Sequence, residues 1–434
     1  MTTKYCEYKD SQTTWMGEVP SHWKLERAKW HFTLRNERGN SIPVLLAATQ
    51  KYGMYPQDMI EGVVKVAEDT DVQLFRTVHK NDFVISLRSF QGGFERSDYE
   101  GVCSPAYQVY YANDQWNNNY LKYLFKNELF VDAMNALTVG IREGRNIKFE
   151  DFANSILAIP PMKEQEAIAE YLGRKIAHID SIIAEAKASI EEYKAWKASI
   201  IYEAVTKGLD PNVEMKDSGI EWIGKMPNHW KLTPFKHVLS ERNERNDPIV
   251  STERLSLSID LGVTLYADKT TNLDRLKEDF AQYKLAHEGD LVMNSMNMIV
   301  GASGVSAWFG CVSPAYYTFY DNESDHITAK FCEYVFRNKA MLRVLHSMGK
   351  GIYSIDRGDD RVNTCRLKVA KDELRCVLLP VPPLEEQRRI VSFLYNRCKN
   401  IDDLIAEKEA LIIDLESYKK ALVFEVVTGK RKVY

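Results

Sequence analysis

The sequence lacks the features of a membrane-embedded, secreted or disulfide-stabilised protein. No apolar run approaches the ~20 residues that a membrane-spanning helix needs, and the first ten residues contain no apolar core of a secretory signal. The seven cysteines are odd in number, scattered along the chain, and form no C-x-x-C pair. We therefore expect neither a disulfide framework nor a zinc site, and a protein that works in the reducing cytoplasm.

Motifs of the common enzyme classes are also missing. The chain has no G-x-x-x-x-G-K-[ST] loop, no H-E-x-x-H and no G-x-S-x-G, and its nine histidines do not cluster with acidic residues at ligand spacing. Ser-Pro-Ala-Tyr at 104–107 and 313–316 is close to the [DNS]-P-P-[YFW] motif of amino-methyltransferases, but alanine replaces the second proline in both copies. We expect no catalytic residue and no metal, and interpret Ser-Pro-Ala-Tyr as the start of an aromatic, half-buried strand.

The charge is close to balanced. The chain has 57 basic and 61 acidic residues, which gives a net charge of -4. Nucleic-acid-binding domains are usually basic. The overall charge therefore argues against a nucleic-acid partner, unless cations are concentrated locally or a basic partner protein contributes.

The main feature of the sequence is an internal repeat. DSQTTWMGEVPSHWKL at 10–25 recurs as DSGIEWIGKMPNHWKL at 217–232, an offset of 207. Three further pairs follow in the same order, and the last, PPMKEQ and PPLEEQ, has an offset of 222. The increase of the offset from 207 to 222 means that the second copy has about fifteen extra residues, mostly between Asn338 and Pro382. We interpret the Trp and Pro residues of the W-x-G-x-x-P-x-H-W blocks as structural anchors of two similar domains, in preference to ligand platforms.

Each copy ends in a long, proline-free stretch with a heptad pattern of apolar residues. The pattern predicts two helices of ~45 residues that pack on each other; the alternative is that each helix packs only on its own globular domain. Gly208 and Pro211 are placed to end the first helix. The expected helix-pairing residues are Leu172, Ile176, Ile179, Ile183 and Ile190 in the first copy, and Leu394, Ile401, Ile405, Ile412 and Leu415 in the second.

These patterns predict a mixed α/β (α+β) fold with two tandem globular domains, each followed by a long helix. Strands are expected within 82–87 and 290–294, and short helices at 120–127 and 330–338. The strand order within each domain is left open. The predicted regions are domain 1 at 1–158, helix region 1 at 159–208, a linker at 209–216, domain 2 at 217–380, and helix region 2 at 381–434.

Polar, locally basic loops are the strongest candidates for a binding surface. Arg, Asn and Gln side chains can read base edges, and Lys and Arg can hold phosphates; the alternative is that these are ordinary solvated loops. The two copies share the repeated motifs described above, but several of these loops differ in sequence. For example, the position of Arg88 in the first copy is occupied by Met296 in the second. The candidate DNA-contacting residues are Arg35, Arg38, Arg88, Ser89, Gln91, Arg142, Arg145, Lys148, Arg242, Arg245, Asn294, Ser295, Asn297, Lys350, Tyr353, Arg357 and Arg361.

Four sets of motifs are characteristic of one family. They are the two W-x-G-x-x-P-x-H-W blocks, the two PP-x-x-EQ helix starts, the Ile-Asp pairs at 179–180 and 401–402, and the VTKG and VTGK helix ends. With them, the chain resembles over its whole length the DNA-specificity subunit of type I restriction-modification enzymes. The resemblance implies two target recognition domains, each reading one half of a bipartite, asymmetric DNA target. It also implies that the two helices form an antiparallel coiled coil with pseudo-two-fold symmetry and fix the gap between the half-sites.

The resemblance further implies the partners and cofactors. The partners are double-stranded DNA, two copies of a modification (methyltransferase) subunit docked on the helices, and restriction (motor-nuclease) subunits. This chain would bind no cofactor, whereas S-adenosylmethionine, ATP and Mg would be held by the partner subunits. Two other hypotheses remain open: a methyltransferase or nuclease in its own right, and a coiled-coil scaffold with two protein-binding heads. The first requires activity of the purified chain alone, and the second requires no sequence-dependent DNA binding.

Overall fold

The computed structural model of the chain describes residues 4–39, 44–49, 52–60, 72–86, 94–137, 147–268, 279–322, 325–352 and 366–433. Two compact units are present. Unit 1 comprises Met1–Lys187 and Glu409–Tyr434, and unit 2 comprises Ala188–Lys408. In the described ranges, no helix is both long and apolar enough to cross a membrane. The same ranges contain no group of three or more His, Cys, Asp or Glu side chains that could hold a metal ion.

Unit 1 is built on an antiparallel four-stranded sheet in the order β4-β11-β8-β9, with the strand pairs β1-β2, β3-β12, β5-β6 and β7-β10 around it. The described strands are β1 Tyr8–Asp10, β2 Glu18–Pro20, β3 Lys24–Arg27, β4 Phe32–Leu34, β5 Leu46–Thr49, β6 Gly53–Pro56, β7 Arg76–Val78, β8 Phe83–Ile85, β9 Phe94–Arg96, β10 Gly101–Cys103, β11 Gln108–Ala112 and β12 Ile156–Ile159. The helices are α1 Asn118–Leu124, α2 Glu128–Ala136, α3 Phe149–Asn154 and the first long helix, α4 Met162–Lys207.

Unit 2 repeats this plan, with a four-stranded sheet in the order β16-β23-β20-β21. Its strands are β13 Met215–Asp217, β14 Lys225–Pro227, β15 Lys231–Pro234, β16 Ser240–Arg242, β17 Leu255–Ser258, β18 Gly262–Leu265, β19 Lys284–Ala286, β20 Leu291–Asn294, β21 Ser303–Val305, β22 Gly310–Val312, β23 Tyr316–Tyr320, β24 Lys350–Ile352, β25 Arg366–Lys368 and β26 Leu378–Val381. The helices are α5 Ile327–Arg337, α6 Lys339–Met348, α7 Lys371–Arg375 and the second long helix, α8 Leu384–Val427. The β24-β25 pair lies in the segment where the sequence has its extra residues.

Strands β8 and β20 are apolar at all positions but Asn294 because both faces of the sheet are covered. In β8, Phe83 and Ile85 belong to the main core of unit 1, whereas Val84 faces a second, smaller core with Val109. In unit 2, Leu291 and Met293 of β20 face the main core in the same way. Successive side chains of a strand point to opposite faces, so continuous apolar runs mark strands that are buried on both sides.

The two long helices are shared between the units. Ile179 and Ile183 of α4 lie in the core of unit 1 together with Leu422 and Val426 of α8. In unit 2, Ala204 and Val205 of α4 lie in one core with Ile390 and Leu394 of α8. Each core therefore contains residues of both helices, which excludes packing of each helix on its own domain alone.

Most of the expected helix-pairing residues are buried. Leu172, Ile190, Leu394 and Ile401 are buried, as are Ile179 and Ile183; the partly buried ones are Ile176, Ile405, Ile412 and Leu415. Ion pairs join the helices at their edges: Lys419 donates to Asp180 at 2.6 Å in unit 1, and Lys197 to Asp402 at 2.7 Å in unit 2.

The mixed α/β fold with two tandem copies and two long helices is confirmed. The expected strands and short helices are present as β8, β20, α1 and α5. The compact units are larger than the linear regions 1–158 and 217–380, because each unit also includes part of both long helices and unit 2 includes residues 209–216. The physical reason is that a heptad stripe buries its apolar residues against the other helix as well as against the adjoining domain.

Candidate functional site

The repeated Trp and His residues hold the start of a long helix in each unit. In unit 1, His22 Nε2 lies 2.7 Å from Glu164 Oε1, and Trp23 Nε1 donates to Glu164 Oε2 at 2.9 Å. Glu164 is in the first turn of α4. In unit 2, His229 Nε2 lies 2.8 Å from Glu386 Oε2 in the first turn of α8. The glutamate of each PP-x-x-EQ motif is thus the partner of the W-x-G-x-x-P-x-H-W block.

The same tryptophans contact the end of the other long helix. A Cβ atom on Gly429 would lie 3.0 Å from the ring of Trp23, and one on Gly208 would lie 3.2 Å from the ring of Trp230. Both glycines have a positive φ, +75° at Gly208 and +73° at Gly429, which ends a helix at little steric cost. In unit 1 the start of α4 and the residues that follow α8 both adjoin Trp23. In unit 2 Glu386 of α8 and Trp230 both adjoin Gly208 at the end of α4, so the two helix segments run antiparallel in each unit.

The Ser-Pro-Ala-Tyr segments form turns that lead into strands. Ser104 Oγ accepts from the Ala106 amide at 3.3 Å, and Ser313 Oγ accepts from the Ala315 amide at the same distance. In the strands that follow, Tyr110 and Phe319 are fully buried. The serines therefore serve the turns, in agreement with the structural interpretation of this motif.

The repeated Arg-Asn-Glu-Arg loops are fixed by a buried aspartate. Arg35 donates to Asp82 from Nε at 2.7 Å and from Nη2 at 2.9 Å, and Arg242 donates to Asp290 at 2.6 and 3.1 Å from the same atoms. Asp82 and Asp290 are 2% and 1% exposed. A bidentate pair of this kind fixes both the position and the plane of the guanidinium.

A histidine, a second acid and a tyrosine complete this network. Glu37 accepts from Arg35 at 2.7 Å and lies 2.9 Å from His79, and these two hydrogen bonds lower the pKa of Glu37, with that from His79 contributing most. The guanidinium of Arg35 also lies over the ring of Tyr111, with its centre 4.6 Å from the ring centroid.

Unit 2 contains the same network at equivalent positions. His287 lies 2.8 Å from Glu244, and Arg242 lies 4.7 Å from the centroid of Tyr320. Asp82 and Asp290 are not among the residues predicted from the sequence, although the H-x-x-D pattern occurs in both copies, at 79–82 and 287–290.

Four of the candidate DNA-contacting residues are either held by the arginine–aspartate network or buried within their unit. Arg35 and Arg242 are held by the network. Asn294 is 6% exposed, and its side chain accepts from the amides of Met296 and Asn297 at 3.0 and 3.4 Å. Ser295 is 1% exposed. These residues hold the frame of the loops, which limits their access to a DNA molecule.

The remaining described candidates are exposed. Lys350 forms an ion pair with Glu373, and Lys148 stands at the start of α3 without capping it through its side chain. The exposed candidates are Arg38, Lys148, Arg245, Asn297 and Lys350. The candidates outside the described residues are Arg88, Ser89, Gln91, Arg142, Arg145, Tyr353, Arg357 and Arg361.

Glu95, a buried carboxyl group of β9, is the basis of a pH prediction. Burial raises the pKa of Glu95 from 4.5 to about 7, although Lys126 Nζ, 2.6 Å away, acts in the opposite direction. The unfolded chain ionises Glu95 at lower pH than the folded unit, so this group makes unit 1 less stable as pH rises from about 4.5 to about 7. The difference between these pKa values corresponds to about 3 kcal/mol. We expect Glu95→Gln to reduce the loss of thermal stability between pH 5 and pH 8.

The matched control is Glu128→Gln, because Glu128 is also paired with a lysine, Lys420, but is 61% exposed. This variant should show the same pH dependence of the melting temperature as the unmodified chain. If Glu95→Gln also retained that pH dependence in full, the elevated pKa of Glu95 would be wrong.

A comparison with protein families identifies the first half of the chain. Residues 26–192 match the model of the type I restriction modification DNA specificity domain. The first half of the chain therefore carries a type I restriction modification DNA specificity domain. The repeated sheet order, tryptophan anchors and arginine–aspartate networks show that the second half of the chain is a further copy of the same architecture.

One curated relative and two solved structures match the chain over nearly its full length. The type I restriction enzyme MjaVIII specificity subunit of Methanocaldococcus jannaschii is 22% identical over 439 residues, covering 96% of this chain and 94% of its own. The HsdS subunit from Thermoanaerobacter tengcongensis is similar in fold, with a TM-score of 0.54 at 15% identity over 95% of this chain and 98% of its own. A chain from a structure on complex assembly and conformational transition of the type I R-M system has a TM-score of 0.66 at 15% identity, covering 94% and 98%.

Proposed function

We propose that each unit of this specificity subunit reads one half of a bipartite, asymmetric DNA target. The observation that carries the proposal is the duplicated frame: the same sheet order and the same arginine–aspartate network occur in both units, whereas loop sequences such as 87–93 and 295–301 differ. A shared frame with different loops suits two readers of two different short sequences. Two linked readers also bind more tightly than either alone, because the second contact forms at high effective concentration.

The long helices set the unread gap between the half-sites in this proposal. They are continuous over 46 and 44 residues. At 1.5 Å per residue, each is about 68 Å long. The length of the helices then determines the number of base pairs between the two half-sites, because B-DNA rises 3.4 Å per pair.

The chain itself is proposed to be non-catalytic and to work with partner subunits. Two modification subunits would dock on the helices and hold S-adenosylmethionine, and restriction subunits would hold ATP and Mg. Exposed apolar side chains on the long helices are available for such docking, because a partner that covered them would remove apolar surface from water. These side chains are Trp196 and Tyr395 in unit 2, and Ile413 and Tyr418 in unit 1.

The function is tested by the methylated motif in the host genome, mapped with and without the gene for this chain. We expect two short sequences separated by a fixed gap, and loss of that methylation on deletion. Methyl transfer by the purified chain alone would instead support a methyltransferase. A genome whose methylation does not depend on the chain would support a protein-binding scaffold.

Lengthening the helices is expected to lengthen the gap. One heptad would be inserted after Ile183 and another after Leu415, which lies on the facing segment of α8 in unit 1. Seven residues add about 10 Å of helix, equivalent to about three base pairs. Both half-sites should stay unchanged in a methylation-site assay. A methylated motif with its original gap would exclude the helices as the ruler.

A matched control inserts the same seven residues into the linker between α4 and β13, after Asn212. This insertion lengthens the chain but neither helix, so the gap should not change. If the linker insertion altered the gap as much as the helix insertions did, the gap would depend on chain length and not on helix length.

A further inference from the structure

Two cations stand directly opposite each other at the edge of unit 1. Arg38 and Arg76 are the two members of an antiparallel β-bridge. The Gly39 amide donates to the Phe75 carbonyl at 2.9 Å, and the Thr77 amide donates to the Glu37 carbonyl at 3.1 Å. Hydrogen bonds that flank a pair in this way define the non-hydrogen-bonded type, in which the two side chains leave the same face and lie closest together.

Unit 2 has the same arrangement. Arg245 and Lys284 form an antiparallel bridge, flanked by hydrogen bonds from Asn246 to Tyr283 and from Leu285 to Glu244, each 3.0 Å long. Arg245 corresponds to Arg38 and Lys284 to Arg76. A pair of like charges therefore occupies the same cross-strand position in both units.

Such a pair is unfavourable for the free protein, because like charges directly opposite each other destabilise a sheet. The acids that precede Arg38 and Arg245 in the chain have other partners, since Glu37 is bound by Arg35 and His79, and Glu244 by His287. Within the described residues, neither Arg38 nor Arg245 forms an ion pair, and both are exposed.

The second cation of each pair is held in place by the Ser-Pro-Ala-Tyr turn. Arg76 Nε donates to the Pro105 carbonyl at 3.2 Å, and Lys284 Nζ donates to the Tyr316 carbonyl at 3.1 Å. Burial, and then the charges of Lys371 and Arg245, lower the pKa of Lys284, while Glu241 opposes this. The contribution of Arg245 to this shift agrees with the two cations of the pair lying close together.

We propose that Arg38 with Arg76, and Arg245 with Lys284, form a phosphate-binding pair in each unit that holds the DNA backbone. The proposal rests on the proposed function and adds a division of roles to it. The pairs are alike in the two units, so they cannot distinguish two different half-sites. Contacts to phosphates fix the position of a protein on DNA without reading its sequence, whereas the loops that differ between the copies are left to read bases.

The test uses the chain in complex with its modification subunits and a fluorescein-labelled 40-base-pair duplex of random sequence as the probe. The dissociation constant is measured by anisotropy between 50 and 200 mM KCl for the double variant Arg38→Gln/Arg245→Gln. Each phosphate contact contributes about 0.9 to the slope of log affinity against log salt, so we expect the slope to fall by about 2. The methylated motif of the host genome should stay the same.

The matched control is Lys29→Gln/Lys236→Gln. These two exposed lysines occupy equivalent positions in the two units, so the control removes the same charge from the same number of sites. Its salt slope should match that of the unmodified complex. The thermal stability of Arg38→Gln/Arg245→Gln should be equal to or higher than that of the unmodified complex, because the substitution relieves repulsion.

Three results would overturn the inference. An unchanged salt slope would exclude phosphate contacts, a changed methylated motif would make the pairs base readers, and a large loss of stability would make them structural. If the unmodified complex neither bound the duplex nor methylated a bipartite motif, the proposed function itself would fail. That result is distinct from a functional complex whose double variant behaves like the control.

Discussion

Replacing Asp82 by alanine is expected to lower the free energy of unfolding of unit 1 by about 3 kcal/mol, because it leaves the largely buried guanidinium of Arg35 without its bidentate partner. Asp82 also accepts a hydrogen bond from the His79 amide at 2.8 Å, so the turn before β8 loses support as well. Denaturant unfolding of the full chain measures the effect. Asp290→Ala should have an effect of similar size in unit 2.

The control for this prediction is Asp98→Ala. Asp98 is also paired with an arginine, Arg96, but its side chain is 55% exposed, and exposed ion pairs contribute little. The change in stability should stay within about 0.5 kcal/mol. Replacing both Arg35 and Asp82 by leucine should be less damaging than Asp82→Ala, since the guanidinium is then removed together with its buried partner. An Asp82→Ala variant as stable as Asp98→Ala would refute the role of this ion pair.

The tryptophan anchors should be the most sensitive single positions of the chain. Trp23 is fully buried and contacts both the start of α4 and the residues that follow α8. Truncation of a buried tryptophan to alanine costs about 3 to 5 kcal/mol, and the cost should lie toward the upper end where two helix ends depend on it. Trp23→Ala is therefore expected to unfold unit 1 at a much lower temperature, measured by thermal denaturation.

Trp30 supplies the comparison, because it is 62% exposed and its replacement by alanine should leave the melting temperature almost unchanged. Phenylalanine variants separate packing from hydrogen bonding. Trp23 Nε1 donates to Glu164, whereas Trp230 Nε1 has no partner among the described residues. Trp23→Phe should thus cost more than Trp230→Phe. Equal costs would mean that the hydrogen bond to Glu164 adds nothing.

Much of the fold follows from patterns that span many residues. The duplication, both long helices and the strands β8 and β20 are all visible in the sequence, because period and repetition accumulate over long stretches. The packing of both helices into each core is harder to predict from the sequence. A heptad stripe shows that a helix needs a partner, but it does not show that Leu422 and Val426 complete the core of the first domain.

The candidate site was harder to predict, because the sequence does not show whether a loop arginine contacts DNA or pairs with a buried acid. The repeated loops make Arg35 and Arg242 candidates for DNA contact. In the structure, however, each arginine pairs with a buried aspartate of the fold that the two units share. Asp82, more than forty residues from Arg35, becomes its partner only when β4 and β8 are placed on either side of β11. Arg76 and Lys284 are not among the residues predicted from the sequence. A cross-strand pair is defined by the register of its two strands, and the local sequence does not encode that register.

The inclusion of Glu409–Tyr434 in unit 1 has a consequence for biosynthesis. A chain leaves the ribosome from its first residue, and domains generally fold in the order in which they emerge. Leu422, Val426 and Val427 lie in the core of unit 1 and are fully or almost fully buried, so the first of the two domains is completed by residues that are synthesised only after the second. Until they arrive, its apolar surface stays open to water, to chaperones and to other nascent chains, which exposes the first domain to misassembly.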